Sequence, residues 1–312
     1  MVRRPRILLQ KDGSYILGEF LKNNLISLRY VDTIDNEMDG LTITFSKFFT
    51  APKEGDKIKL FLGYDLEVDD MGEFYPFGVR EDYSNFTMQV KLTPIDFSKS
   101  FKQKRTKSYK NIQFFALVAE IAKRNDLKSK VSIKDFSIKS KQQSNQSDLA
   151  FLKSLAEEYN ASFAVKNGTI IIAPKASSKD KSKLPQITLT IEEMVDLEIE
   201  DNYKTIYKSA EAKFRDSKRN KDVTVIVGSG EPKLVLEGSY RDNADAKLKI
   251  QAQLEKQNAG TIEGSFTTTA YVIAGAMLTL ILPDRTETDL QVTEVVHTVD
   301  GGGYVKKVSF TK

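Results

Sequence analysis

The period of hydrophobic and polar positions changes twice along the chain. Over residues 1–95 it is mostly two. Leu41-Thr42-Ile43-Thr44-Phe45 alternates, and so does Lys57-Ile58-Lys59-Leu60-Phe61-Leu62. Alternation of this kind predicts a strand with one face buried. Ser14–Phe20, Leu25–Tyr30, Phe74–Val79 and Phe86–Leu92 read as further strands, and Pro52–Asp56 as a turn. Many short strands separated by turn residues point to a sandwich or small barrel.

The centre of the chain switches to a helical period. After Ser147 and Asp148, which suit a helix start, Leu149, Leu152, Leu155, Ala156 and Tyr159 share one face. Glu157 and Glu158 are read as facing outward, and Asn160 as a left-handed stop. Ser162–Val165 and Thr169–Ile172 then predict a hairpin around Lys166-Asn167-Gly168, because Asn-Gly suits a type I′ turn. Upstream, Asn111 is read as capping a helix to about Arg124 with Phe114, Val118 and Ile121 inward. Val131–Ile138 reads as a strand and Lys139–Asn145 as a polar loop.

Beyond a small, polar Lys175–Lys183 linker the pattern returns to β, with Ala244, Leu248 and Ala252 marking one helix near 243–257. Part of this segment repeats the first. Gly55 to Leu62 parallels Gly275 to Leu282, Phe74–Val79 parallels Leu290–Val295, and Val90-Lys91-Leu92 parallels Val308-Ser309-Phe310, at an offset near 220. The expected fold is α+β and mainly β, with two similar β-barrel-like domains flanking an inserted small α+β module. The boundaries are 1–95 for the first barrel and 96–183 for the insertion. The insertion carries helices near 111–124 and 147–159, the 162–172 hairpin and the 175–183 linker. The second barrel is 184–312, with its helix near 243–257.

Composition narrows the chemistry. There is no cysteine and only one histidine, His297. Disulfides, thiolate sites, histidine-based triads and multi-histidine metal sites are excluded. His297 sits in an alternating strand and is read as a structural hydrogen-bonding group. Glu157-Glu158 and Glu192-Glu193 are adjacent, so the two side chains of each pair diverge and make poor glycosidase dyads. Gly301-Gly302-Gly303 lacks the Lys-Ser/Thr of a phosphate loop and reads as a hairpin turn. No catalytic, cofactor-binding or metal-binding residue is assigned. Phe45, Phe48 and Phe49 either anchor a subunit interface or belong to the barrel's own core.

Charge is unevenly placed. Residues 96–141 hold 13 Lys/Arg against 4 Asp/Glu, leaving 34 against 39 elsewhere of the chain's 47 and 43. The segment is read either as a solvated basic face or as a nucleic-acid patch on a β-barrel protein, although aromatic residues do not interleave with its charges. The longest apolar run, Ala270–Leu282, is shorter than the roughly 18 residues a span needs. No signal core follows the basic start, so the expectation is a chain made in the cytoplasm without stable membrane insertion.

Several stretches carry a family resemblance. They are Asp39-Gly40-Leu41-Thr42-Ile43-Thr44, Gly55 through Gly63, Arg105 through Leu127, Ser147 through Pro174, and Val292 through Val308 with Val295-Val296-His297. In this order they resemble the late control D family, baseplate hub proteins of contractile phage tails related to the hub half of VgrG spike proteins. Ser147–Pro174 is the most specific part. Asn160 departs from the glycine often found there. The resemblance implies a structural, non-enzymatic protein without cofactor or metal. It would be a homotrimer, threefold in sequence and nearly sixfold in shape, joining a sixfold tail tube to a threefold spike. Implied partners are the tail-tube protein, the tail spike protein and other baseplate proteins, with DNA only as passing cargo. Because the sequence ends at Lys312 after the second β segment, the spike is expected as a separate polypeptide. Assembly would take place in the bacterial host cytoplasm, and the mature location would be the virion tail baseplate.

Overall fold

The computed structural model describes residues 4–16, 18–34, 39–96, 100–175, 184–216, 221–238 and 240–312. The first segment contains β1 (Pro5–Lys11), β2 (Ser14–Tyr15), α1 (Gly18–Asn24), β3 (Leu25–Thr33), β4 (Gly40–Phe45), β5 (Ile58–Tyr64), β6 (Glu67–Asp82) and β7 (Thr87–Thr93). Period-two alternation becomes one inward row. In β4, Leu41, Ile43 and Phe45 are buried and their neighbours are not. Six strands hydrogen-bond in the order β1-β5-β6-β7-β4-β3. They curl around one core to which each contributes, including Leu9, Leu28, Ile43, Leu60, Phe74 and Val90.

The insertion contains β8 (Lys104–Gln113), α2 (Phe114–Arg124), β9 (Lys128–Val131), β10 (Ser137–Ser147), α3 (Asp148–Glu158), β11 (Ala161–Lys166) and β12 (Thr169–Pro174). Ser147 caps α3, its Oγ accepting from the Ala150 amide at 3.2 Å. Phe151, Leu152, Leu155 and Ala156 of α3 meet Phe114, Leu117, Val118 and Ile121 of α2 in a second core. Each fully buried large side chain there contributes about 1.5–3 kcal/mol. Asn160 is left-handed at φ +49°, and Asn167 and Gly168 are left-handed at +48° and +63°, as a type I′ turn requires.

Some local readings change. The first helix of the insertion begins at Phe114 after Gln113, and Asn111 is a left-handed residue inside β8. Lys139–Asn145 is strand, because β10 pairs with β8 in a two-stranded ribbon. Much of this ribbon faces solvent, so it carries no hydrophobic alternation to reveal it. Glu158 is not a free outward charge but pairs with Lys141 and Lys249. Apart from Lys175, the linker reading falls on residues outside those described.

The last segment contains β13 (Gln186–Thr190), β14 (Val195–Asp201), β15 (Ser209–Asp216), β16 (Lys221–Gly228), β17 (Lys233–Glu237), α4 (Asn243–Asn258), β18 (Ile262–Thr268), β19 (Met277–Ile281), β20 (Thr286–Asp300) and β21 (Gly303–Thr311). Within it, β15–β17 and α4 form a satellite unit with its own small core of Ala210, Phe214, Val225, Ala246, Ile250 and Leu254. The other six strands pair in the order β13-β19-β20-β21-β18-β14. This is the order of the first six, strand for strand. The matched ladders agree in register too. Pro76–Leu92 corresponds to Val292–Phe310, Val79–Val90 corresponds to Val295–Val308, and both ladders slip by one residue in between. Gly55 and Gly275, aligned in sequence, are both left-handed, at φ +87° and +88°. One strand differs in direction: β1 is antiparallel to β5, whereas β13 is parallel to β19. The fold is thus α+β and mainly β.

Candidate functional site

The two six-stranded halves share one continuous sheet, joined where β3 meets β20. β20 is long enough to serve two sets of neighbours. Its first half pairs with β19, and its second half pairs with β21 on one edge and β3 on the other. The β3 ladder runs from Glu294–Thr33 to Val299–Leu28. At the far end of β20, Val299 and the neighbouring Tyr304 of β21 enter the core of the first half. The Tyr64 hydroxyl donates to the Tyr304 carbonyl at 2.6 Å.

Charged groups from three segments converge beside this joint. Lys166, at the end of β11, reaches Asp32 of β3 and lies 3.7 Å from Asp39. The second Asp32 oxygen accepts from the Ala274 amide at 2.8 Å. Asp39 accepts from the Thr33 amide at 3.1 Å and the Tyr30 hydroxyl at 3.2 Å. Lys306 donates to the Thr269 and Ala270 carbonyls at 3.3 and 2.9 Å. A cavity of about 350 Å³ lies between these groups, bordered by Lys130, Ile171 and Tyr271 among others.

Burial sets the protonation behaviour here. It pushes the Asp39 carboxyl up to about 7, against the two hydrogen bonds that favour its anion. It pulls Lys166 down to about 8. His297 is pulled down to about 3, first by burial and then by the positive charges of Lys306 and Lys166. Its Nδ1 lies 2.7 Å from the Tyr304 hydroxyl. The imidazole is therefore neutral and sealed in, as a structural group. The cluster's carboxylates and cations are occupied with one another and with backbone groups across three segments. This arrangement fixes the relative placement of the insertion and the two halves. Among the described residues, no group of three or more His, Asp or Glu is placed to hold a metal ion. Nor is any helix there long and apolar enough to cross a membrane.

Sequence reasoning did not find Asp32, Asp39 or Lys166. Strand parity carried a usable signal, since Leu28, Tyr30 and Asp32 share the inward face of β3. Of the three aromatic candidates, Phe45 is in the core of the first half. Phe49 is half-buried, edge-on to Phe45 with ring centroids 5.0 Å apart. Phe48 is half-buried against the exposed rings of Tyr83 and Phe86, at 4.9 and 6.2 Å. Part of the basic segment is committed to internal pairs. Lys107 bridges Glu120, Lys139 bridges Asp242, Lys141 bridges Glu158, and Arg124 forks onto the buried Asp148.

Over 194 residues, 60% of its length, the chain is 28% identical to a probable baseplate hub protein of Escherichia phage 186. It is 26% identical over 194 residues to the corresponding protein of Escherichia phage P2. The chain is similar to phage baseplate hub proteins. The hub likeness read from the residues holds in sequence, and the match spans about half the length of these curated relatives. Solved structures share the fold. A tail protein of Neisseria meningitidis MC58 superposes with a TM-score of 0.72 at 9% identity, covering 99% of this chain and 97% of that one. The 43 kDa tail protein of Shewanella oneidensis prophage MuSo2 gives 0.69 at 13% identity, with 98% of each chain covered. A chain of a Francisella PdpA–VgrG complex gives 0.57 at 10% identity, covering all of this chain and 53% of that one. No protein-family model matches the chain.

Proposed function

We propose that the chain is the hub of a contractile tail baseplate or of a related injection machine. It acts through interfaces and not through catalysis. The observation that carries this reading is the repeated strand order in the two halves. Three copies of a chain with two similar halves place six similar lobes around one axis. Such a ring is threefold in sequence and nearly sixfold in shape. One face suits a sixfold tail tube and the other a threefold spike. Other baseplate proteins contact its periphery, and DNA passes through the lumen only as cargo. The ring assembles in the host cytoplasm and resides in the mature tail.

The buried charge cluster supports a rigid role, since it ties the insertion to both halves. The internal pairing of Lys107, Lys139, Lys141 and Arg124 occupies four of the 13 basic residues of the 96–141 segment, which weighs against a nucleic-acid site there. Light scattering behind size exclusion tests the proposal, with the chain alone and with its co-expressed spike protein. A species near three times 35.2 kDa is expected. A monomer that persists with the spike present sinks the hub reading.

A further inference from the structure

The charge cluster at the joint also holds a set of reacting groups in contact. Lys166 Nζ touches Asp32 Oδ1, and Asp39 Oδ1 lies 3.7 Å from the same nitrogen. The two carboxylate side chains are 7% and 3% exposed. Rings close the surroundings, with Tyr30 5.5 Å from Phe74 and 5.1 Å from His297 between centroids. The other Asp32 oxygen, Oδ2, accepts from the Ala274 amide at 2.8 Å. The Lys141–Glu158 pair differs in kind, since a second lysine, Lys249, stands there in place of a second carboxyl.

An exposed lysine and aspartate, with ordinary values of about 10.4 and 3.9, are both ionised near neutral pH, and an ammonium is no nucleophile. Burial changes that here. It pulls the Lys166 amine down to about 8 and pushes the Asp39 carboxyl up to about 7. Near neutral pH the amine therefore sheds a proton readily, and Asp39 can both take a proton and return it.

We propose that Lys166 and Asp32 condense to an intramolecular amide, with Asp39 as the proton carrier. The ion pair is the reactant state. Asp39 takes one proton from the ammonium and passes it to Asp32 Oδ1. The freed Nζ lone pair attacks Cγ, the C–N bond forms, and the charge that develops on Oδ2 is held by the Ala274 amide. Asp39 then carries a second proton from Nζ to Oδ1. The electron pair on Oδ2 re-forms the carbonyl, the Cγ–Oδ1 bond breaks, and Oδ1 leaves as water. The third ammonium proton stays on the amide nitrogen, and nothing is oxidised or reduced. Groups fixed in contact react at effective concentrations of roughly 10⁵–10⁸ M, which offsets the cost of condensation in water. The adjoining cavity of about 350 Å³ gives the released water a way out. The product ties the end of β11 to β3 across 134 positions of the chain, and unlike an ion pair it is indifferent to salt. It needs no second copy, so it stands apart from the hub reading.

Mass spectrometry of the purified chain, kept folded near neutral pH and then denatured, reads the amide directly. The native chain should be lighter by one water than its sequence requires, and the Lys166→Arg variant, which keeps the cation, should have its full sequence mass. Trypsin should release a branched peptide joining residues 30–47 to residues 154–175, because an acylated Lys166 is no longer a cleavage site. Fragment ions should place the branch at Asp32. Asp39→Asn should form the amide at least about a hundredfold more slowly, and Asp32→Ala should not form it, each read once circular dichroism shows the variant folded. The native peptide map decides the matter even where a variant fails to fold. A native chain that keeps its full mass after days, with residues 154–166 released as a separate peptide, overturns the proposal. A branch at Asp39, or an Asp39→Asn rate equal to the native one, overturns the roles given to the two carboxyls.

Discussion

Gly264 lies directly opposite Phe310 across β18 and β21, and a Cβ on Gly264 would sit 2.4 Å from the Phe310 ring. The matching pair in the first half is Leu41 opposite Leu92. The two halves keep the same ladder but divide the interior volume differently. One uses two medium side chains, and the other uses one large ring over bare backbone. The Gly264→Ala variant should therefore lose about 1–3 kcal/mol by overpacking. The added carbon also meets the Glu198 carbonyl at 2.3 Å, which a side-chain rotation cannot relieve. Thermal unfolding of the variant checks this, and an unchanged midpoint would contradict it.

Asp148 is buried at the start of α3. It takes a fork from Arg124 at 2.9 and 3.0 Å, and further bonds from Asn125 and Gln143 at 2.9 and 3.0 Å. Burial works to raise its pKa, but these bonds outweigh it and hold the carboxyl below its usual value. A depressed carboxylate contributes stability that is present above the unfolded value of about 3.9 and is lost as pH falls through the folded value. Asp148→Ala should cost about 3–5 kcal/mol near neutral pH, because Arg124, Asn125 and Gln143 all lose the buried carboxylate they bond. It should also flatten the acid limb of the stability curve below about pH 4. Urea titrations at pH 7 and pH 3 read both effects.

Removing Lys166 leaves the buried Asp32 and Asp39 without the cation they share. Lys166→Met should cost about 3–5 kcal/mol, and adding Asp32→Asn should recover part of the loss. A shift in the urea midpoint of the single variant, with partial return in the double, is the expected result. Equal stability of all three proteins would show that the cluster does not hold the insertion in place.

His297 and Asp39 tilt the pH dependence in opposite directions. The unfolded histidine binds its proton near 6.5, whereas the folded one resists it to about 3. Folding is therefore weakened by about 1.4 kcal/mol for each unit that pH falls through that window. Asp39 is raised to about 7, so the folded state holds a proton that the unfolded chain releases above about 3.9, and acidification in that range favours folding. The two slopes oppose each other in the native protein. His297→Gln removes one of them. Relative to the native chain, the variant should gain about 2 kcal/mol on going from pH 7 to pH 5. A difference that stays constant with pH would contradict the buried neutral imidazole.

What could be read from the sequence had a local cause. The α3 helix, its Asn160 stop and the Asn167-Gly168 hairpin were legible because cap, period and turn residues agree over a few positions. The repeat was legible because Ile58, Leu60 and Leu62 recur as Leu278, Leu280 and Leu282 behind matching glycines. The β8–β10 ribbon was not legible, since most of its side chains meet water and only Tyr109, Ile138 and Gln143 turn fully inward. The β3–β20 joint was not legible either. It pairs residues from opposite ends of the chain through backbone edges, which leave no pattern in side-chain type. Asp32 and Lys166 were not singled out, because each has its partner in another segment of the fold.

End-on electron-microscope views of the assembled protein, purified with its spike, show the ring itself. A ring of six similar lobes whose strict symmetry is threefold is expected, with the two halves alternating around it. A ring of another order, or isolated two-lobed particles at every concentration with the spike present, would contradict it.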